Sequence, residues 1–353
     1  MSTRIKTNRE TWIDLAKCFA IIAVICDHAS SEMGIAAPYT YIFFFSVSLF
    51  VLLMGYVNYD SFERNHSDVW KKTKNRIIGI LIPYLTATFV YSVLSSGGLY
   101  LEKYISELIH FSASPPLYYV SVYLQLVLIA PVLYRVLTSG HKVCDLTSLI
   151  IILIFSIWAN NYTHLLQIYG GGGKLFGGTY LLLFYIGMLI CKYFKKIVFK
   201  KKTACFCFIF FLALLIACAC FIVKDGFGIE TYLPFDKGVN PPGLCLIIYS
   251  VSITLSFLFF DKIPKRKENA FLDRIVTGLS FVGRHTLYIF LYHKLFQDFV
   301  LRVFFIYVPV GENLRGILYP VVMLLAPLLL EYVFKRAQHF IETCYAAEVT
   351  TLH

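Results

Sequence analysis

Apolar stretches near the roughly 20 residues needed to cross about 30 Å of hydrocarbon recur along the whole chain, separated by short polar segments. They predict about ten transmembrane helices, over residues 12-33, 39-59, 77-95, 117-137, 146-162, 175-194, 203-223, 241-260, 284-306 and 316-334. The expected fold class is an all-α polytopic integral membrane protein. No stretch remains for a separate soluble domain, so residues 1-353 read as one domain. The leading MSTRIKTNRETWID is too polar for a cleaved signal peptide, and no small-residue cleavage site follows the first apolar run.

Composition places the chain in the same class. A content of 58% hydrophobic and 17% aromatic residues against 15% charged, with a mean hydropathy of +0.69, lies far outside soluble usage. Charge then supplies an orientation. With a cytoplasmic N-terminus, inner segments carry Arg4, Lys6 and Arg9; Arg64, Lys71, Lys72, Lys74 and Arg76; Lys142; the runs KYFKKIVFKKK and DKIPKRKENAFLDR; and Lys335 and Arg336. Outer segments carry only Lys103, Lys174, Lys224, Lys237 and Arg315. The positive-inside rule therefore puts both termini in the cytoplasm. The net charge of +11 is mostly this topology signal, with anionic membrane lipids and not nucleic acid as the expected partner.

Two features suggest chemistry they do not carry. The ten cysteines fall in expected spans or inner segments, Cys344 among the latter, and read as small packing residues. The C-x-C pairs Cys205/Cys207 and Cys218/Cys220 have no zinc-like partner, so no metal is expected. The stretch IYGGGGKLFGG (168-178) fails as a phosphate loop because Leu175, not Ser or Thr, follows Lys174. A flexible glycine loop at the outer mouth is expected instead.

The first apolar run, Cys18 to Cys26, is only nine residues long and runs into Asp27 and His28. At 100° per residue, Lys17 and His28 lie within about 20° of each other on a helix, and Asp14 within roughly 40° of the same stripe. Glu32 falls one helical turn past His28, whereas Asp27 points about 100° away. Each ionisable group costs roughly 2.5 to 3.5 kcal/mol near the bilayer centre, so this face is expected to turn toward protein or a wet cavity. Spacing alone leaves a second reading open, in which Lys17 and His28 each reach an interface.

The segment RETWIDLAKCFAIIAVICDHAS (9-30), with Asp14, Lys17 and then His28 after ten residues, resembles the opening signature of the membrane-bound acyltransferase family 3, and within it the fucose 4-O-acetylase-like branch. The resemblance continues in order. FFFSVSLFVLLMGYVNY, KKTKNRIIGILIPYL (71-85), PPLYYVSVYLQLVLIAPVLY (115-134), LLFYIGMLI (182-190), NPPG (240-243) and FVGRHTLYIFLYHKLF (281-296) are similar to successive family segments. Three positions depart from the pattern: Lys17 stands where Arg is common, Gly79 replaces the second Arg of R-x-x-R begun by Arg76, and Val47 follows Ser46, leaving Met54-Gly55 as the better match.

The resemblance implies transfer of an acyl group, most often acetyl, from cytoplasmic acyl-CoA to a hydroxyl of a cell-surface glycan or its lipid-linked precursor, at a bacterial cytoplasmic membrane. His28 is then the candidate general base, with Asp14 or Glu32 orienting it and Asp14 holding Lys17 charged. An acyl-histidine intermediate stays open. Lys72, Lys74 and Arg76, with Lys71, are candidates for the coenzyme A phosphates. Tyr119, Gln125, Asn240 and His293 are polar groups at motif positions and candidates for the acceptor; His293 and Arg284 are expected near one face. Glu331 is expected to pair with Lys335, four residues on. The competing class is a transporter or flippase without chemistry, mildly disfavoured by the lack of an inverted repeat with paired broken helices.

Overall fold

The computed structural model describes residues 10-140, 142-225, 238-263 and 270-351, with side chains up to 336. Arg4, Lys6, Arg9, Lys237, the 264-269 part of the second basic run and the side chain of Cys344 lie outside the described residues. Among the described residues all regular structure is helical. The helices are α1 (Thr11–His28), α2 (Ala37–Thr40), α3 (Phe45–Arg64), α4 (Val69–Ser96), α5 (Leu101–His110), α6 (Tyr118–Thr138) and α7 (Lys142–Tyr162). They continue with α8 (Thr179–Phe194), α9 (Lys201–Asp225), α10 (Leu244–Lys262), α11 (Ala270–Arg284), α12 (Thr286–Leu295), α13 (Arg302–Tyr307) and α14 (Glu312–Thr351). One end of the bundle gathers the lysine-rich connections and is the basic end below; the other is the far end.

Among the described residues seven helical stretches are long and apolar enough to cross a membrane: Ala37–Arg64, His66–Ser96, Pro115–Thr138, Lys142–Tyr162, Lys201–Lys224, Leu244–Lys262 and Glu312–Arg336. The protein is thus an all-α polytopic membrane protein. The other three expected spans differ for physical reasons. α1 has 18 residues and carries Asp14, Lys17 and Asp27. α8 has only 16, because residues 175-177 form a separate 3-10 turn before it. The expected 284-306 span is broken: α11 stops at Arg284, α12 starts at Thr286, and Phe296–Leu301 is a π-helical turn leading into α13.

The centre of the bundle is α3, packed against α8, α1, α10 and α6. Backbone approaches there are close enough that a Cβ on Gly55 would sit 1.9 Å from the Phe184 carbonyl oxygen, and one on Gly187 2.0 Å from that of Leu52. Small residues where helices cross are how membrane bundles gain van der Waals contact that lipid cannot supply. α9, by contrast, turns Phe206, Ile209, Phe210 and Ile216 outward, as a lipid-facing helix would.

At the basic end, ion pairs tie the helices together. Glu10, just before α1, accepts from the Tyr56 hydroxyl (2.7 Å) and the Trp12 indole (2.9 Å) and lies 3.1 Å from Lys195 Nζ. Lys195 also pairs with Asp60, and Lys192 pairs with buried Asp145 while donating to the Leu137 carbonyl (2.8 Å). So part of the run read only as a topology signal also clamps α1, α3, α7 and α8 at one level. Glu331 and Lys335 meet as expected, at 2.5 Å.

Candidate active site

The α1 stripe faces protein. Asp14 is buried beneath α11, whose Gly283 lies so near that a Cβ there would come within 1.8 Å of the Asp14 carbonyl oxygen. Three residues on, Lys17 lines a cavity of about 360 Å³ shared with Asn58, Arg76, Tyr119, Tyr123 and Phe290. Arg76 is held there by Asn58 Oδ1, by the Val57 carbonyl at 3.5 Å and over the Phe62 ring at 5.4 Å. Asn58 is itself fixed by donating to the Met54 carbonyl (2.8 Å). The walls are otherwise apolar, so the cavity pairs two cations with an aromatic and aliphatic sleeve.

His28 closes α1, and its ring lies 5.1 Å from that of His293, at 31° between planes. His293 is fully buried one turn beyond Phe290, which lines the cavity, with those two rings 6.1 Å apart. His293 Nδ1 faces the carbonyls of Phe290 (2.8 Å) and Ile289 (3.1 Å), which accept only from a protonated Nδ1. Nε2 is then the unprotonated nitrogen, and it is buried without a partner. On the other side, Gln297 donates to the His28 carbonyl (2.8 Å) and accepts from Lys294 (2.9 Å), which also pairs with Asp298 (3.3 Å). Gln297 and Asp298 belong to the π-helical turn, a distortion that recurs at functional sites.

Several sequence expectations change. Glu32 was expected one turn past His28, but α1 ends at His28 and residues 29-34 form a turn that Gly34 reverses with φ 67°. Glu32 instead lines a far-end cleft of about 360 Å³ with Gln297, Asp298, Arg302, Arg315 and Tyr319. Arg284 does not share a face with His293, because the break at His285 separates them and the Arg284 Nε donates to Ser280 in α11 (3.1 Å). His285 contacts Glu331 at 2.9 Å, which anchors the break against α14.

Of the coenzyme A candidates, only Arg76 lines the cavity. Lys72 donates to the Ser61 and Asn65 carbonyls at the end of α3, while Lys71 and Lys74 face outward. Of the acceptor candidates, Tyr119 lines the cavity and His293 meets His28. Gln125 and Asn240 do neither. Gln125 donates to the Gly172 carbonyl (3.1 Å), as does Ser121 (3.0 Å), and Asn240 accepts from the Gly171 N–H (2.8 Å). The glycine segment is correspondingly not a loose loop: Gly171, Gly172, Gly173 and Gly177 are buried in two 3-10 turns against α6. A Cβ at Gly171 would lie 2.5 Å from the Tyr180 ring, which is why glycine fits that position.

Gln297, Lys294, Arg302 and Arg315 were not singled out from sequence. A Lys-x-x-Gln-Asp run closing an apolar segment was a signal available there, since polar groups at the end of a span need partners.

A family model described as an acyltransferase domain matches residues 10–336. No curated protein and no solved structure matches the chain. The family match removes the footing of the transporter alternative. With the match covering nearly the whole chain, this protein belongs to the acyltransferase 3 family and is a membrane acyltransferase.

Proposed function

We propose that the protein is an O-acyltransferase that moves an acetyl group from cytoplasmic acetyl-CoA to a hydroxyl of a cell-surface glycan or its lipid-linked precursor, in the bacterial inner membrane. The observation that carries this reading is the His28–His293 pair, one turn beyond the wall of a cavity that holds Lys17 and Arg76. The positive-inside rule supports a cytoplasmic basic end, with both termini on the side of the acyl-CoA donor. A phosphate of coenzyme A meets the Arg76 fork, Lys17 adds a point charge, and the apolar sleeve of Phe50, Met54 and Tyr119 takes the pantetheine arm. Asp14 keeps Lys17 charged.

The acceptor hydroxyl transfers its proton to a neutral His28 as its oxygen attacks the thioester carbonyl carbon. The tetrahedral intermediate collapses, the C–S bond breaks, and the leaving thiolate takes the proton from His28. The products are an O-acyl ester and free coenzyme A. General-base assistance of this kind contributes about 10² to 10⁴ in rate. His293 is a positioning residue: its fixed, neutral ring backs His28 without competing for the proton.

The test uses purified protein, labelled acetyl-CoA and a lipid-linked glycan. Labelled acceptor should form, His28→Ala should abolish it at unchanged expression, and the Lys17→Ala, Arg76→Ala double variant should lose acyl-CoA binding. Undiminished binding in the double variant would count heavily against the donor assignment.

A further inference from the structure

The surface of α11 divides into three arcs. Ser280 and Gly283 are its buried positions, and the helix packs there on α1, with Gly283 against the backbone of Asp14. At 100° per residue Phe271, Leu272, Ile275 and Leu279 fall within an arc of about 100°, and all four are exposed. Asp273, Arg274, Thr277 and Arg284 fill another arc of about 100° on the opposite side, exposed as well. Phe281, the apolar exception on that side, packs its ring against His285 at 4.5 Å. With 15 residues, α11 is too short to cross a bilayer and is not among the spanning stretches. It lies at the basic end, since its last turn covers the start of α1, and Lys262, which closes α10 before it, donates to the Lys195 carbonyl (3.1 Å).

We propose that α11 lies in the membrane surface at the basic end, its apolar arc at the hydrocarbon boundary and its polar arc among anionic phospholipid headgroups. A short helix with one apolar and one charged face, and little hydrophobicity overall, takes that position. Four adjoining large apolar side chains left to water would form a patch that soluble surfaces avoid, and the bilayer meets this end of the bundle because α10 and α14 cross it. The polar arc sets Arg274 and Arg284 against Asp273, an excess of one positive charge, and Asp14 beneath the last turn is buried. Among the described residues no ion pair within 4 Å engages Asp273, Arg274 or Arg284. Arg284 uses its Nε on the Ser280 carbonyl (3.1 Å), which leaves its terminal nitrogens for a phosphate. A general excess of lysine at this end would attract anionic lipid without distinguishing the faces of α11; the arcs do distinguish them.

The experiment uses the full chain in phosphatidylcholine vesicles that contain brominated-chain phosphatidylcholine or, at equal mole fraction, brominated-chain phosphatidylglycerol. Ile275→Cys on the apolar arc and Thr277→Cys on the polar arc each carry a bimane fluorophore, with the labelled unmodified chain subtracted as background. Brominated phosphatidylcholine should quench the 275 probe at least about threefold more than the 277 probe, and aqueous iodide should do the reverse. Brominated phosphatidylglycerol should quench the 275 probe about twofold to fivefold more than brominated phosphatidylcholine does. Arg274→Gln with Arg284→Gln should remove that excess and keep the quenching by brominated phosphatidylcholine, which shows the helix still seated; Arg274→Lys with Arg284→Lys should keep the excess.

Equal lipid quenching of the two probes, or iodide reaching the 275 probe as freely as the 277 probe, would overturn the surface position. A 275 probe that neither quencher reaches would mean that protein, such as a second copy of the chain, covers the arc, and would overturn the lipid as its partner. Equal quenching by the two lipids, an excess that survives in the glutamine variant, or an excess lost in the lysine variant would overturn the headgroup assignment.

Discussion

The cavity around Lys17 and the far-end cleft have similar volumes and unlike walls. The one toward the basic end is an aromatic and aliphatic sleeve with two cations on it, Lys17 and Arg76. The far-end cleft is mixed, with Glu32, Asp298, Arg302 and Arg315 set beside Phe305, Ile306 and Tyr319. A long thioester arm ending in phosphates suits the first, and a hydroxylated ring suits the second. The difference is what the proposed reaction asks for: two substrates of unlike solubility, each in a matching environment, with His28 as the proposed base.

The strongest way to break this comparison is at its midpoint. His28→Ala should lower kcat by about 10² to 10⁴ with acyl-CoA affinity within twofold, measured by single-turnover transfer and by direct binding. Comparable loss of both would mean that His28 shapes the cavity and does not do chemistry. Next, Arg76→Ala should raise the KM for acyl-CoA by roughly ten- to a hundredfold, because one charge-assisted contact is worth about 1.5 to 3 kcal/mol, and Lys74→Ala should change it less than about twofold. Equal effects would return Arg76 to the solvated loop.

Gln297→Leu should sharpen the link between the two sides. Removing its bond to the His28 carbonyl is expected to cost about threefold to tenfold in kcat with little change in the KM for acyl-CoA, a split that simple loss of fold would not give. The smallest catalytic effect is expected for Asn240→Ala. That variant leaves the Gly171 N–H unsatisfied in a buried turn, so thermal stability should fall by about 1 to 3 kcal/mol while activity per folded molecule holds. Loss of acceptor specificity there would restore Asn240 to the acceptor site.

That Lys17 and Arg76 come together in one cavity was largely legible in the sequence because the pattern is local. Lys17 and His28 share a stripe on one uninterrupted helix, and Arg76 follows a basic segment into the next span, so helical geometry alone places them. Glu331 and Lys335 were readable for the same reason. The far side was not legible. Residues 284 to 306 carry Arg284, His285, His293, Lys294, Gln297, Asp298 and Arg302 among apolar residues, yet nothing in their period marks the break at His285 or the π-helical turn that brings Gln297 and Asp298 to one cleft. Glu32 was misplaced because a stripe extrapolated through His28 assumes that the helix continues, whereas the chain turns through Gly34. That Gln125 and Asn240 engage Gly172 and Gly171 was not legible, because those partners lie 47 and 69 residues away and only the fold brings their backbone groups into view.

The central claim is that donor and acceptor reach His28 from opposite ends of the bundle. Proteoliposomes of uniform orientation, with labelled acetyl-CoA supplied only at the basic end and the acceptor only at the far end, test it most directly. Label should cross to the acceptor in the unmodified protein and stay with coenzyme A in His28→Ala. Transfer that requires both substrates on the same side, or that persists in His28→Ala, would contradict the account.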